Sequence, residues 1–182
     1  MSQNIRLIIL ILSFLICSGC VTYIGYEAAY EGRIIDKDTN KPIGGTVVHG
    51  TWYKALPVSG GATLTYYDSK EVLTDEDGRF KIEGLGLVMG SKMEEMSVCV
   101  LKSGYREFNL NWVGFRNNSS EFELVDGKPV IKLRRLTMDE RNNRAIVGPV
   151  SVPSNKMQLF NTERNKENME IGRQSSLLFP VE

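Results

Sequence analysis

The residues able to do chemistry in this chain are few and widely spaced. Its three cysteines are Cys17, Cys20 and Cys99, and its single histidine is His49. Cys20 follows two small residues, Ser18 and Gly19, at the end of an apolar run. Cys99 lies in Val98-Cys99-Val100-Leu101, a setting that suits a buried, inert thiol. A redox or nucleophilic cysteine wants a basic partner, and none is identifiable from the sequence. His49 follows Val48 in an alternating stretch, so an inward Val48 turns His49 outward as a surface side chain. Zinc would need further ligands, which the sequence does not assemble around this histidine. Asp36, Asp38 and Asn40 alternate like the start of an EF-hand loop, but Lys41 replaces its glycine and Val47 its closing glutamate. Asp75 and Asp77 could share a hard cation or stand as solvated turn carboxylates. There is no Gly-x-Ser-x-Gly elbow and no phosphate-binding glycine loop. No catalytic residue, metal ligand or cofactor is assigned, and a non-enzyme is expected.

The strongest signal is N-terminal. Met1–Arg6 carries one charged side chain, Arg6, and Leu7–Ile16 is apolar except for Ser13. A positive start, a short apolar core and a small-residue exit form a secretory signal pattern. Ten helical residues span about 15 Å, half of a hydrocarbon core of about 30 Å, which disfavours a permanent transmembrane helix. Only Arg6 among the 22 basic groups precedes Cys20, so the remainder is near neutral against 22 acidic groups. That balance makes nucleic acid a poor partner.

Ser18-Gly19-Cys20 resembles a lipobox, the bacterial lipoprotein signal, with Cys17 where the family usually has leucine. The resemblance implies cleavage before Cys20 and palmitate-type acylation of that cysteine. Two or more acyl chains hold a protein firmly to a membrane, whereas one does so marginally. An ordinary signal peptide cut nearby is the plainer alternative. Val21, rather than aspartate, after the cysteine implies the outer membrane of a diderm cell, with the module facing the periplasm or the surface.

Between Tyr30 and Leu136 the chain reads as short extended runs separated by turns. Strands are expected at Tyr30–Asp36, Thr46–Tyr53, Glu71–Thr74, Arg79–Glu83, Met96–Lys102, Arg106–Leu110 and Val130–Arg135. Phe80 and Ile82 alternate with charged neighbours, as do Phe108 and Leu110, and Ile131 and Leu133. Asp75-Glu76-Asp77-Gly78 is a hairpin signal, either a two-residue turn at Asp77-Gly78 or a type I turn with a glycine bulge. Gly104 before Tyr105 marks another tight reversal. Seven such strands point to an all-β, antiparallel sandwich.

Four segments then resemble a family: Gly32–Asp36, Lys41–Val48, Thr74–Ile82 and Val98–Tyr105. In this order they are similar to the carboxypeptidase regulatory-like domain, a transthyretin-like (prealbumin-like), Greek-key sandwich of seven strands. The resemblance spans residues 28–136, with insertions at Lys54–Lys70, Leu85–Glu95 and Arg116–Pro129. It implies a core of Ile34, Ile43, Val48, Phe80, Ile82, Val98, Val100, Tyr105, Phe108, Ile131 and Leu133, and a non-catalytic module. The transthyretin-like hydrolases use several histidines and a C-terminal Tyr-Arg-Gly-Ser, and this chain has neither.

The expected organisation is a signal peptide at 1–19, an anchor and linker at 20–27, the sandwich at 28–136 and a polar tail at 137–182. Trp52, Tyr53, Tyr66 and Tyr67 flank the first insertion, with Trp112 and Phe115 near the last. They suit protein or glycan recognition, or packing against the sandwich edge. In the tail, Thr137-Met-Asp-Glu140 is a capping box and Asn155-Lys-Met-Gln158 a second, with Gly172 as a stop. Neither helix has a clean apolar stripe, so each is expected to dock loosely or await a partner. The function expected is a lipid-anchored envelope protein whose sandwich is a non-catalytic structural or protein-contact module, its partners the membrane through Cys20 and an envelope protein or glycan. Its alternatives are an accessory lipoprotein of a secretion or assembly machine and a glycan- or peptidoglycan-binding module.

Overall fold

The computed structural model describes residues 23–90, 92–110 and 120–173. Ten strands occur among them: β1 (Ile24–Glu27), β2 (Tyr30–Asp36), β3 (Val47–Val58), β4 (Gly61–Leu73), β5 (Arg79–Ile82), β6 (Gly86–Met89), β7 (Ser97–Leu101), β8 (Phe108–Leu110), β9 (Phe122–Val125) and β10 (Lys128–Leu133). Helix α1 (Met138–Asn143), a 3-10 turn at Ser154–Lys156 and helix α2 (Gln158–Glu170) follow. Two four-stranded sheets, in the orders β5-β2-β10-β9 and β4-β3-β7-β8, are joined by a β1-β6 ribbon. No helix among the described residues is long and apolar enough to cross a membrane.

The core lies between the two larger sheets because alternation turns every second side chain inward. Ile34, Phe80, Ile82, Ile131 and Leu133 come from one sheet, and Val48, Trp52, Val98, Val100, Phe108 and Leu110 from the other. All eleven residues expected in the core are in this cluster, which also takes in Val88 and Met93. Full burial of each large apolar side chain contributes roughly 1.5–3 kcal/mol.

Ten strands replace the expected seven, and β2 pairs parallel with β10, so the sheets are not wholly antiparallel. The three extra strands are β1, β6 and β9. Lys54–Lys70 is no loop: β3 and β4 stay in register from Val47↔Leu73 to Val58↔Gly61, with a shift between Trp52 and Tyr53. Beyond that shift Leu56, Val58 and Leu64 are exposed, so no buried face imposes the alternation that marks the inner strands. Strand β6 lies inside the second insertion and β9 inside the third. Ile24–Glu27, expected as linker, is β1.

The Asp75–Gly78 turn is the glycine-bulge form. Gly78 N–H donates to the Asp75 carbonyl, Asp75 N–H to the Arg79 carbonyl, and Gly78 has φ 73°. A Cβ there would stand 2.3 Å from the Ile34 carbonyl oxygen, so glycine is required sterically as well. Its flanking strands do not form a hairpin: β4 enters one sheet and β5 the other. The turn is thus a crossing between layers.

The C-terminal segment forms a third layer instead of docking loosely. Phe160 and Met157 pack with Val47, Cys99 and Leu101 on the outer face of the β4-β3-β7-β8 sheet. Thr137 and Glu140 form the expected capping box at α1. Asn155 does not cap α2, which starts after Met157 without a side-chain cap of its own. Glu71 of β4 supplies the cap from outside, accepting from the Leu159 and Phe160 amides at 2.9 Å each. Gly172 follows the helix at φ 70°, as its stop residue should.

Candidate functional site

Strand register assembles what the sequence keeps apart. Glu71 of β4 lies beside His49 of β3, and His49 beside Cys99 of β7, which pairs with Asn109 of β8. A carboxylate, an imidazole, a thiol and an amide thus form one row on the outer face of the sheet. These are the residue types of nucleophilic catalysis. In this row each functional group is spent on holding the C-terminal layer.

His49 points away from the sandwich core, as alternation requires, but it is fully buried rather than on the surface. The tail covers it: the Phe160 ring meets its imidazole edge-on at 6.5 Å. Nε2 lies 3.3 Å from the Lys156 carbonyl oxygen, which can only accept. The ring therefore donates there, and Nδ1 accepts from the Thr51 hydroxyl at 3.1 Å. Burial drives its pKa down to about 4, against the opposing pull of the Lys156 carbonyl. Burial pushes the Cys99 thiol up to about 12, Glu107 adds to this, and Arg164 opposes it. Its Sγ lies 4.0 Å from the Val147 carbonyl. Burial likewise raises Glu71, while the α2 amides pull it down.

Below the row, the tail is fixed by charge. Glu167 of α2 is buried and accepts from the Gly104 amide and the Ser103 hydroxyl at 2.8 Å. Arg141 donates to both of its oxygens, at 3.0 and 2.7 Å, and Arg144 to Oε1 at 3.1 Å. Arg144 also pairs with Glu107, just before β8, and Glu163 accepts from the Ser103 amide at 2.8 Å. Burial opposes ionisation of Glu167, but hydrogen bonds from Arg141, Gly104, Ser103 and Arg144 hold its pKa down at about 2.

Above the row, the sheet and the tail leave a cavity of about 440 Å³. Thr51, Tyr53, Ser97 and Cys99 line it from the sheet, Val147–Ser151 from the tail, and Glu94 and Glu95 add carboxylates. The Tyr53 hydroxyl donates to the Val150 carbonyl at 2.8 Å, pinning the tail wall. Size, apolar lining and a few polar groups suit a small amphipathic ligand or an inserted side chain.

The acidic turns are structural where they can be described. Asp36 Oδ1 accepts from the Asp38 and Thr39 amides, at 3.0 and 2.9 Å. Its Oδ2 accepts from the Tyr105 hydroxyl and from Arg135, each at 3.0 Å. Burial alone would raise this carboxyl, yet these bonds hold it far below the usual range. Asp75 accepts from the Arg79 amide at 2.7 Å, and Asp77 lies 3.8 Å from the Arg79 guanidinium. Among the described residues, no three His, Cys, Asp or Glu are grouped to hold a metal.

Of the aromatics, Trp52 is a core residue and Tyr67 is exposed, while Tyr53 and Tyr66 line the cavity. Cys20, Trp112 and Phe115 lie outside the described residues. The row, the external cap by Glu71 and the Glu167 network depend on contacts between distant parts of the chain. Their one sequence trace is Leu159-Phe160 at the head of an otherwise polar helix.

No family profile matches the chain, and no curated protein does. Among solved structures, a streptococcal ancillary pilin shows a likeness at 17% identity and a TM-score of 0.30. The match covers 61% of this chain and 30% of the pilin, so the chain spans under a third of that protein. A likeness at that level carries no argument about function.

Proposed function

We propose that this chain is a lipid-anchored protein of the bacterial envelope, held by acyl groups on Cys20, whose sandwich is a non-catalytic contact module. The observation that carries the reading is the Ser18-Gly19-Cys20 exit of a short apolar segment. A transthyretin-like, carboxypeptidase regulatory-like type suits the module. Its four resembling segments correspond to β2, the β2–β3 connection with the first two residues of β3, the Asp75–Gly78 crossing with β5, and β7 with its Gly104 turn. The non-catalytic reading draws support from His49, Glu71 and Glu167, whose polar atoms are engaged in holding layers together. The partner is an envelope protein that offers a small apolar side chain or segment to the Tyr53–Tyr66 cavity. A glycan platform is less well supported, since Trp52 is buried in the core.

Replacing Cys20 by serine tests the anchor. Palmitate labelling should vanish and the protein should leave the membrane fraction. Continued labelling of Cys20→Ser would show that the lipid sits elsewhere and would overturn the proposal.

A further inference from the structure

Among the described residues, the β1-β6 ribbon presents an apolar face that none of the others covers. Its antiparallel register sets Ile24 opposite Met89 and Tyr26 opposite Leu87. Directly opposed residues share a face, so the four side chains form one patch. Their exposures are 61% for Ile24, 74% for Tyr26, 66% for Leu87 and 61% for Met89. The other face is tied down: Val88 is buried in the sandwich core and Glu27 is half-buried. Alternation therefore gives the ribbon one side for the protein and one side that no other described residue covers. Clustered exposed apolar residues mark interaction surfaces in a way that scattered ones do not.

The position of the patch in the chain says what covers it. Ile24 follows Cys20 by four residues, a reach of at most about 14 Å even when fully extended. An acylated Cys20 sits at the lipid-water boundary, so the ribbon cannot stand far from that boundary. The patch carries no charged side chain, and Tyr26 combines an apolar ring with a polar tip, the chemistry favoured at bilayer interfaces. From the anchor, a short tether and an apolar face at its end, we infer that the β1-β6 ribbon is a membrane-docking surface. Ile24, Tyr26, Leu87 and Met89 rest in the headgroup region of the bilayer that holds Cys20. This inference rests on the lipid-anchor reading, and it adds a fixed orientation to the tether. The sandwich stands on its β1-β6 end. The far end, where Asp36 of β2 meets Tyr105 and α2 terminates near Gly104, points away from the lipid.

The test uses the full native chain, acylated, in vesicles of phosphatidylethanolamine and phosphatidylglycerol. A spin label is placed at Leu87→Cys or, as control, at Met169→Cys, an exposed position near the end of α2. Cys99 is buried and stays unlabelled. The label at position 87 should collide several-fold more with oxygen, relative to a water-soluble nickel chelate, than the label at position 169. Equal accessibility at both positions in protein that floats with the vesicles would overturn the docking surface and leave the anchor standing. Shielding of position 87 from oxygen and nickel alike, growing with protein density, would assign the patch to a second copy and overturn it too. Mass spectrometry of the N-terminal peptide separates the two readings. A chain without acyl groups on Cys20 fails the anchor, and the inference falls with it.

Discussion

Phe160→Ala asks whether the C-terminal helix is a structural layer or an appendage. The ring is fully buried, against Val47, Cys99 and Leu101 of the sheet and Met157 of its own segment. It also meets His49 edge-on, and Arg164 lies over it with the guanidinium carbon 4.9 Å from the centroid. Truncating such a ring typically costs about 3–5 kcal/mol, set against a total domain stability of about 5–15 kcal/mol. For a domain of this size each kcal/mol moves Tm by roughly 2–4 °C, so a drop of roughly 6–20 °C is expected. Phe80→Ala, which removes a ring from between the two sheets, is the internal standard. Thermal melts of the chain, followed by circular dichroism beside wild type, make the comparison. The two variants should fall by similar amounts in a single transition. A shift below about 2 °C for Phe160→Ala beside a large one for Phe80→Ala would refute the layer, because no fully buried ring is that cheap to remove.

Glu167→Ala should cost about 3 kcal/mol in urea unfolding, because it takes the shared buried carboxylate from the largely buried Arg141 and Arg144. Glu170→Ala, at the exposed edge of the same network, should cost under about 1 kcal/mol, and equal losses would refute this ranking. His49 makes stability depend on pH. Its folded pKa is depressed to about 4 from 6.5, so the unfolded chain takes up the proton first. Its contribution is therefore intact above about pH 6.5 and lost as pH falls towards 4, by about 3 kcal/mol in all. The neighbouring Glu71, whose pKa is raised, acts in the opposite sense as it protonates. Subtracting the pH profile of His49→Asn from that of wild type isolates the histidine, and parallel profiles between pH 6.5 and 4 would refute the assignment.

What was legible in the sequence was whatever alternation writes locally. Phe80 and Ile82 between Arg79, Lys81 and Glu83 fix a strand and its inner face, and they occupy the core as expected. The outer half of the β3-β4 hairpin escaped because both of its faces meet solvent near the tip, leaving Thr63 to Tyr66 without a sided pattern. The same limit explains His49. Alternation correctly turned it away from Val48, but whether an outward side chain meets water depends on what lies over the sheet. Here that cover is a helix whose apolar content is little more than Leu159 and Phe160, too little for an amphipathic stripe. Charge replaces the stripe: Glu71 caps the helix from another layer, and Glu167 draws Arg141, Arg144 and the Ser103-Gly104 turn together. Hydrophobic patterning reports residues that are neighbours along one element. Buried ion pairs report partners brought together by the finished fold, so in sequence they look like solvated charge. The polar tail is for that reason the segment whose role changed most, and the sheet face beneath it is where the row of Glu71, His49 and Cys99 had remained unseen.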